Sequence, residues 1–157
     1  MTKQCRRRLL GLDVGSRRIG VAVSDELGMI ASPLEAVERS PQGLERLYEL
    51  MAVYDPEALI VGLPTGLSGR EGVQAAEVRT FVEEIAVRVQ RPIIFWDERL
   101  TTAIAERALI DSGARRTRRK RLVDAVAAAV MLQSYLDWQR SGTGGTGRRP
   151  GPRTTGD

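Results

Sequence analysis

LLGLDVGSRRIGVAVSD, running from Leu9 to Asp25, decides how the rest of the chain is read, because it sets a carboxylate, Asp13, inside a hydrophobic strand that turns straight back on itself. Leu9, Leu10, Leu12 and Val14 have the composition of a strand, and Ile19, Val21 and Val23 alternate with Gly20, Ala22 and Ser24 at the period of a second one. Gly15 and Ser16 lie between them, so the stretch predicts a β-hairpin. Aspartate is depleted in strands, and an ionised carboxylate among apolar neighbours is costly unless a hydrogen-bond donor, a cation or a metal compensates it. Asp13 therefore needs a partner. It is either a turn aspartate serving nearby backbone N–H groups or an acid held for chemistry.

The residues that follow carry alternating strand and helix signals. Met29 to Val37 predicts a third strand, which Pro33 assigns to a sheet edge. Ser40-Pro41 supplies an N-cap and a first helical residue, and Leu44, Leu47, Tyr48 and Met51 recur at helical spacing until Asp55-Pro56. Ala58 to Gly62 is a continuous apolar run, as expected of a strand buried on both faces. The glycine-rich TGLSGREG, 65–72, predicts a surface loop, and Ala75, Val78, Val82, Ile85 and Val89 place one apolar stripe on a long helix. Pro92 to Trp96 predicts another buried strand running into Asp97, Glu98 and Arg99, followed by a helix from Thr101-Thr102 to Ser112-Gly113. A last helix is expected from Leu122 to about Trp138, with Asp124 in its first turn, where a carboxylate also suits the helix dipole. The order makes an α/β domain over residues 1–140, a mixed sheet covered by helices. Residues 141–157, rich in Gly, Thr, Arg and Pro, are expected to form a disordered tail.

Composition removes much chemistry. The chain has no histidine and one cysteine, Cys5, so Ser-His-Asp and Cys-His machinery, the usual zinc sites and an internal disulfide cannot be built. Catalysis would have to run on carboxylates, Lys, Ser or Thr, or on a metal held by hard oxygens, for which Mg²⁺ or Mn²⁺ is the expected choice. No apolar run approaches the ~20 residues that span a bilayer, and the basic N-terminus lacks a signal-peptide pattern, so a cytoplasmic protein without membrane contact is expected. Arg115, Arg116, Arg118, Arg119, Lys120 and Arg121 fill six of seven consecutive positions, and removing them from a formal charge of +4 leaves the rest at −2. Such a stripe is either a footprint for the phosphate backbone or a solvated loop.

Ligands gather at the carboxyl ends of parallel strands in open α/β sheets, so Asp13 and Glu98 are expected at one edge, and Asp124 joins them if the closing helix crosses it. Three converging carboxylates repel one another unless divalent cations neutralise them. Two such cations can activate water and stabilise a leaving oxygen, which needs no histidine.

GLDVGSRRIGVAVSD, VGLP with its Gly-rich loop, QAAEVRTFVEE, WDERLTT and KRLVDAVAAAVMLQ occur in this order. In them the chain, over about residues 8–139, resembles the YqgF/RuvX proteins, a bacterial branch of the ribonuclease H-like superfamily associated with Holliday junction resolution and pre-16S rRNA processing. The resemblance implies a ribonuclease H-like fold with a five-stranded mixed sheet and metal-binding acids at Asp13, Glu98 and Asp124. It implies a two-metal nuclease that trims the 5′ end of precursor 16S rRNA, with branched DNA as the alternative substrate and ribosomal assembly intermediates as partners of a monomer or homodimer. The loop after Pro64 lacks an acid before its second glycine that many relatives carry, and the tail exceeds the compact family pattern. Arg99 and Lys120 are candidates for phosphate contact, or for a salt bridge and a solvated side chain respectively.

Two other functions fit part of the pattern. Actin-like phosphotransferases also open with a strand and an Asp-x-Gly turn, but they close two related domains over a nucleotide, and 157 residues supply half of that. A non-catalytic RNA-binding assembly factor would use the basic stripe and leave the acids idle.

Overall fold

The computed structural model describes residues 8–64, 72–97, 116–141 and 153–154, with side chains placed over 8–64, 72–97 and 123–140. Strands β1 (Leu9–Val14) and β2 (Arg18–Ser24) form the expected hairpin, pairing Leu10 with Val23, Leu12 with Val21 and Asp13 with Gly20. The Gly15 N–H donates to the Arg18 carbonyl at 2.8 Å and closes the turn. β3 (Ala31–Glu38) pairs antiparallel with β2, with a register shift between Val21 and Ala22 beside Pro33. Proline brings no N–H to the ladder, and β3 lies at the sheet edge as its sequence predicts.

Helix α1 (Pro41–Tyr54) begins as its sequence dictates: the Ser40 hydroxyl accepts from the Gly43 N–H, and Pro41 takes the first helical position. It ends at Asp55, in the left-handed region at φ 42°. β4 (Ala58–Leu63) runs parallel to β1, and β5 (Ile93–Asp97) runs parallel to β4. Between them α2 (Val73–Val89) buries Ala75, Val78, Val82, Ile85 and Val89, the stripe read from the sequence, together with Phe81.

The sheet order is β3-β2-β1-β4-β5-β6, so the strand carrying Asp13 is central. Five strands make the mixed sheet, and β6 (Arg153–Thr154) adds a two-residue antiparallel pairing on β5. Those two are the described residues of the expected tail beyond Ser141. The expected helix at 101–112 lies outside the described residues, as does most of the 65–72 loop.

The last described helix, α3, spans Arg116–Ser141 and starts earlier than its sequence pattern suggests. Arginine and lysine are good helix formers, and no Gly or Pro interrupts the stretch. The basic residues 116–121 are therefore helical, and Asp124 stands beyond the first turn, where the N-terminal dipole no longer accounts for it.

Strand alternation sorts the core into two faces. Leu10, Leu12, Ile19, Val21, Leu59 and Val61 pack with α1 and α2, while Leu9, Ala22, Ala58, Ile60 and Trp96 pack under α3 with Ala128, Leu132 and Leu136. α3 lies close because of what the strands omit: a Cβ on Gly11 would meet the Leu132 Cβ at 3.0 Å. Among the described residues no helix is long and apolar enough to cross a membrane.

Candidate metal centre

The Asp124 backbone lies against Gly20, the residue paired with Asp13. Asp13 and Gly20 are directly opposed across the β1–β2 ladder, and alternation puts both on the α3 face. On that face the α3 backbone presses against Gly20 so closely that an added Cβ would fall 1.8 Å from the Asp124 carbonyl oxygen. A residue 111 positions from Asp13 along the chain thus adjoins the strand position opposite it. The Asp124 side chain is a quarter exposed, and its Oδ2 accepts from Arg18 Nε at 2.8 Å.

Glu98 follows Asp97, the last residue of β5, whose Cα pairs with Leu63 at the carboxyl end of β4. Glu98 itself, Arg99 and Arg115 lie outside the described residues. Arg116, Arg118, Arg119, Lys120 and Arg121 form the opening turns of α3, and Lys120 precedes Asp124 by about one helical turn. Among the described residues no group of three or more His, Cys, Asp or Glu could hold a metal ion.

Two of the three expected acids therefore share a neighbourhood, and their donor chemistry suits a hard divalent cation. Both are carboxylates, and Oδ1 of Asp124 stands outside the Arg18 hydrogen bond.

A cleft of about 240 Å³ opens at the carboxyl edge beside Asp13, lined by Gly15, Ser16, Arg39, Pro64, Gln74 and Glu77 among others. This is where an open α/β sheet binds its ligands. Arg39 Nη1 donates to the Gly15 carbonyl at 3.1 Å, and its guanidinium stands 5.1 Å from the Phe81 ring centre. A larger cavity of about 530 Å³ lies at the opposite edge, among Leu9, Ala58, Pro92 and Tyr135. Its described lining includes neither Asp13 nor Asp124.

Sequence reading missed both Arg18 and Arg39. Arg18 belongs to the hairpin motif, so its position was visible, but its bond to Asp124 spans 106 residues and leaves no local signal. Arg39 follows an edge strand and belongs to no motif.

Comparison with known proteins agrees with the fold. A Desulforudis audaxviator (strain MP104C) protein named "Putative pre-16S rRNA nuclease" is 47% identical over 137 residues, covering 86% of this chain and 97% of that protein. A Lactococcus lactis subsp. lactis (strain IL1403) protein of the same name is 46% identical over 134 residues, covering 83% and 94%. Among solved structures, Thermus thermophilus RuvC in complex with a Holliday junction substrate superposes with a TM-score of 0.52 at 23% identity, over 87% of this chain and 97% of that one. At that identity the likeness concerns the fold, which is ribonuclease H-like. The family described as "RuvX: Holliday junction resolvase" matches residues 7–138, and with relatives this similar over nearly their whole length the chain belongs to that family.

Proposed function

We propose that the protein is a divalent-metal-dependent endonuclease that cuts structured nucleic acid, with precursor 16S rRNA as its substrate in the cytoplasm. The observation carrying this reading is the approach of the Asp124 backbone to Gly20, the residue paired with Asp13, on one face of the sheet. The names of relatives 46–47% identical favour rRNA as the substrate.

Asp13, Glu98 and Asp124 would hold Mg²⁺ or Mn²⁺. When bound, a pair of such ions supplies an activated water and neutralises charge on the leaving oxygen of an in-line displacement. The rest falls to the chain. Asp13 lies on the rigid central strand, so its carboxylate keeps its position as substrate arrives. The cleft beside Asp13 admits the backbone of a duplex or junction, and the basic residues from Arg115 to Arg121, with Arg99, hold phosphates. Shape recognition suits a chain with seven aromatic residues, because single-strand binding relies on stacked bases.

The description of the family favours branched DNA as a second reading. Purified protein with Mn²⁺, assayed in parallel on a precursor rRNA fragment and a four-way DNA junction, separates the two. The first reading expects discrete products from the RNA alone, and Asp13→Asn should lower cleavage by about 10²- to 10³-fold on the general scale of lost catalytic electrostatics while leaving binding intact. Binding by both proteins with cleavage by neither would leave a non-catalytic assembly factor.

A further inference from the structure

Arg18 lies where a cation is expected. Its Nε donates to Asp124 Oδ2 at 2.8 Å, and the two side chains are only 31% and 27% exposed. Strand alternation puts Arg18 on the same sheet face as Gly20, two residues on, and that is the face α3 covers. Both partners are thus carried by packed backbone. The strand holds the guanidinium, and the contact at Gly20 fixes the height of Asp124 above the sheet. This differs from the long pairs at the periphery, such as Arg88 with Glu45, where both side chains are more than half exposed and solvent screens the attraction.

We propose that Arg18 is a positioning residue acting through Asp124: it is the built-in counter-ion of the metal-free centre, and a divalent cation must compete with its charge to bind. This rests on the metal-dependent reading above. A carboxylate brought onto a sheet face beside a second one needs positive charge whether or not metal is bound. Arg18 supplies it through one oxygen and leaves Oδ1 to face a cation. A dication approaching Oδ1 meets a like charge across a single carboxylate, so the guanidinium that orients Asp124 also weakens metal affinity. Arginine suits the task because it stays protonated at any physiological pH.

Calorimetric titration with Mn²⁺ and thermal unfolding with and without Mn²⁺ test this on the full chain. In Arg18→Gln the metal-free Tm should fall, Mn²⁺ should bind about tenfold more tightly, and the rise in Tm on adding Mn²⁺ should exceed that of the wild type. Arg18→Lys, which keeps the charge, should hold Mn²⁺ affinity within about threefold of the wild type. Arg18→Met keeps an apolar stem without charge and repeats the measurement should the glutamine variant fail to fold. A purely structural arginine would lower Tm and leave affinity unchanged, and that result, or weaker binding in the uncharged variants, overturns the proposal while the metal-dependent reading stands. No Mn²⁺ binding by the wild type overturns both.

Discussion

At the scale of single residues, Gly20 sets the geometry of the centre. Its missing side chain is the space through which the α3 backbone reaches the sheet, and a methyl group there would overlap the Asp124 carbonyl at 1.8 Å. Gly20→Ala must therefore push α3 outward. Overpacking of this kind costs about 3 kcal/mol or more, readable as a lower urea midpoint, and the Asp124 carboxylate should shift away from Asp13. Asp25 carries a different consequence. Its carboxylate accepts from the N–H groups of Met29 at 2.7 Å and Ile30 at 3.2 Å in the β2–β3 turn, and the Met29 bond is the main cause holding its pKa below the ordinary value. A lowered folded-state pKa means that this stabilisation is complete above the unfolded value of about 3.9 and is lost as pH falls through the folded one. The stability of Asp25→Asn, followed by urea unfolding between pH 5 and 2, should fall less steeply with acid than that of the wild type. An identical slope would show that the turn does not hold the ionised form.

At the scale of elements, β1–β2, α1 and α2 were legible because the rules that shape them act within a few residues. The hairpin follows from two alternating runs around Gly15, α1 from Ser40 and Pro41, and the face of α2 from spacings of three and four. α3 was legible only in part. Its apolar ridge begins near Leu122, whereas the helix begins at Arg116, because hydrophobic spacing detects the portion that packs and is silent about a charged extension held by propensity alone. The proposed function gives this extension the task of holding phosphates, which a salt titration tests. Replacing Arg118, Arg119 and Lys120 by glutamine should weaken binding to any duplex equally. It should also flatten the dependence of log K on log salt by about 0.9 for each phosphate that is no longer neutralised, as fluorescence anisotropy at several salt concentrations would measure. An unchanged slope would mark the stripe as solvated surface.

At the scale of the whole molecule, the sheet sets Asp13 on its central strand and brings the α3 backbone at Asp124 against the residue paired with it. Parallel β1, β4 and β5 end at Val14, Leu63 and Asp97 beside the cleft, while α1 and α2 cover one face and α3 the other. The amino-acid sequence by itself determined the hairpin, α1, α2 and the buried strands, the absence of histidine chemistry, and a central carboxylate needing compensation, since periodicity, composition and desolvation cost can be read from short windows or from counts. Only the tertiary structure decided that Asp124 comes down upon Gly20 opposite Asp13 and takes Arg18 as its partner. Those contacts join positions more than a hundred residues apart, and they exist because two bare glycines, Gly11 and Gly20, let a helix lie closer to a sheet than side chains would permit.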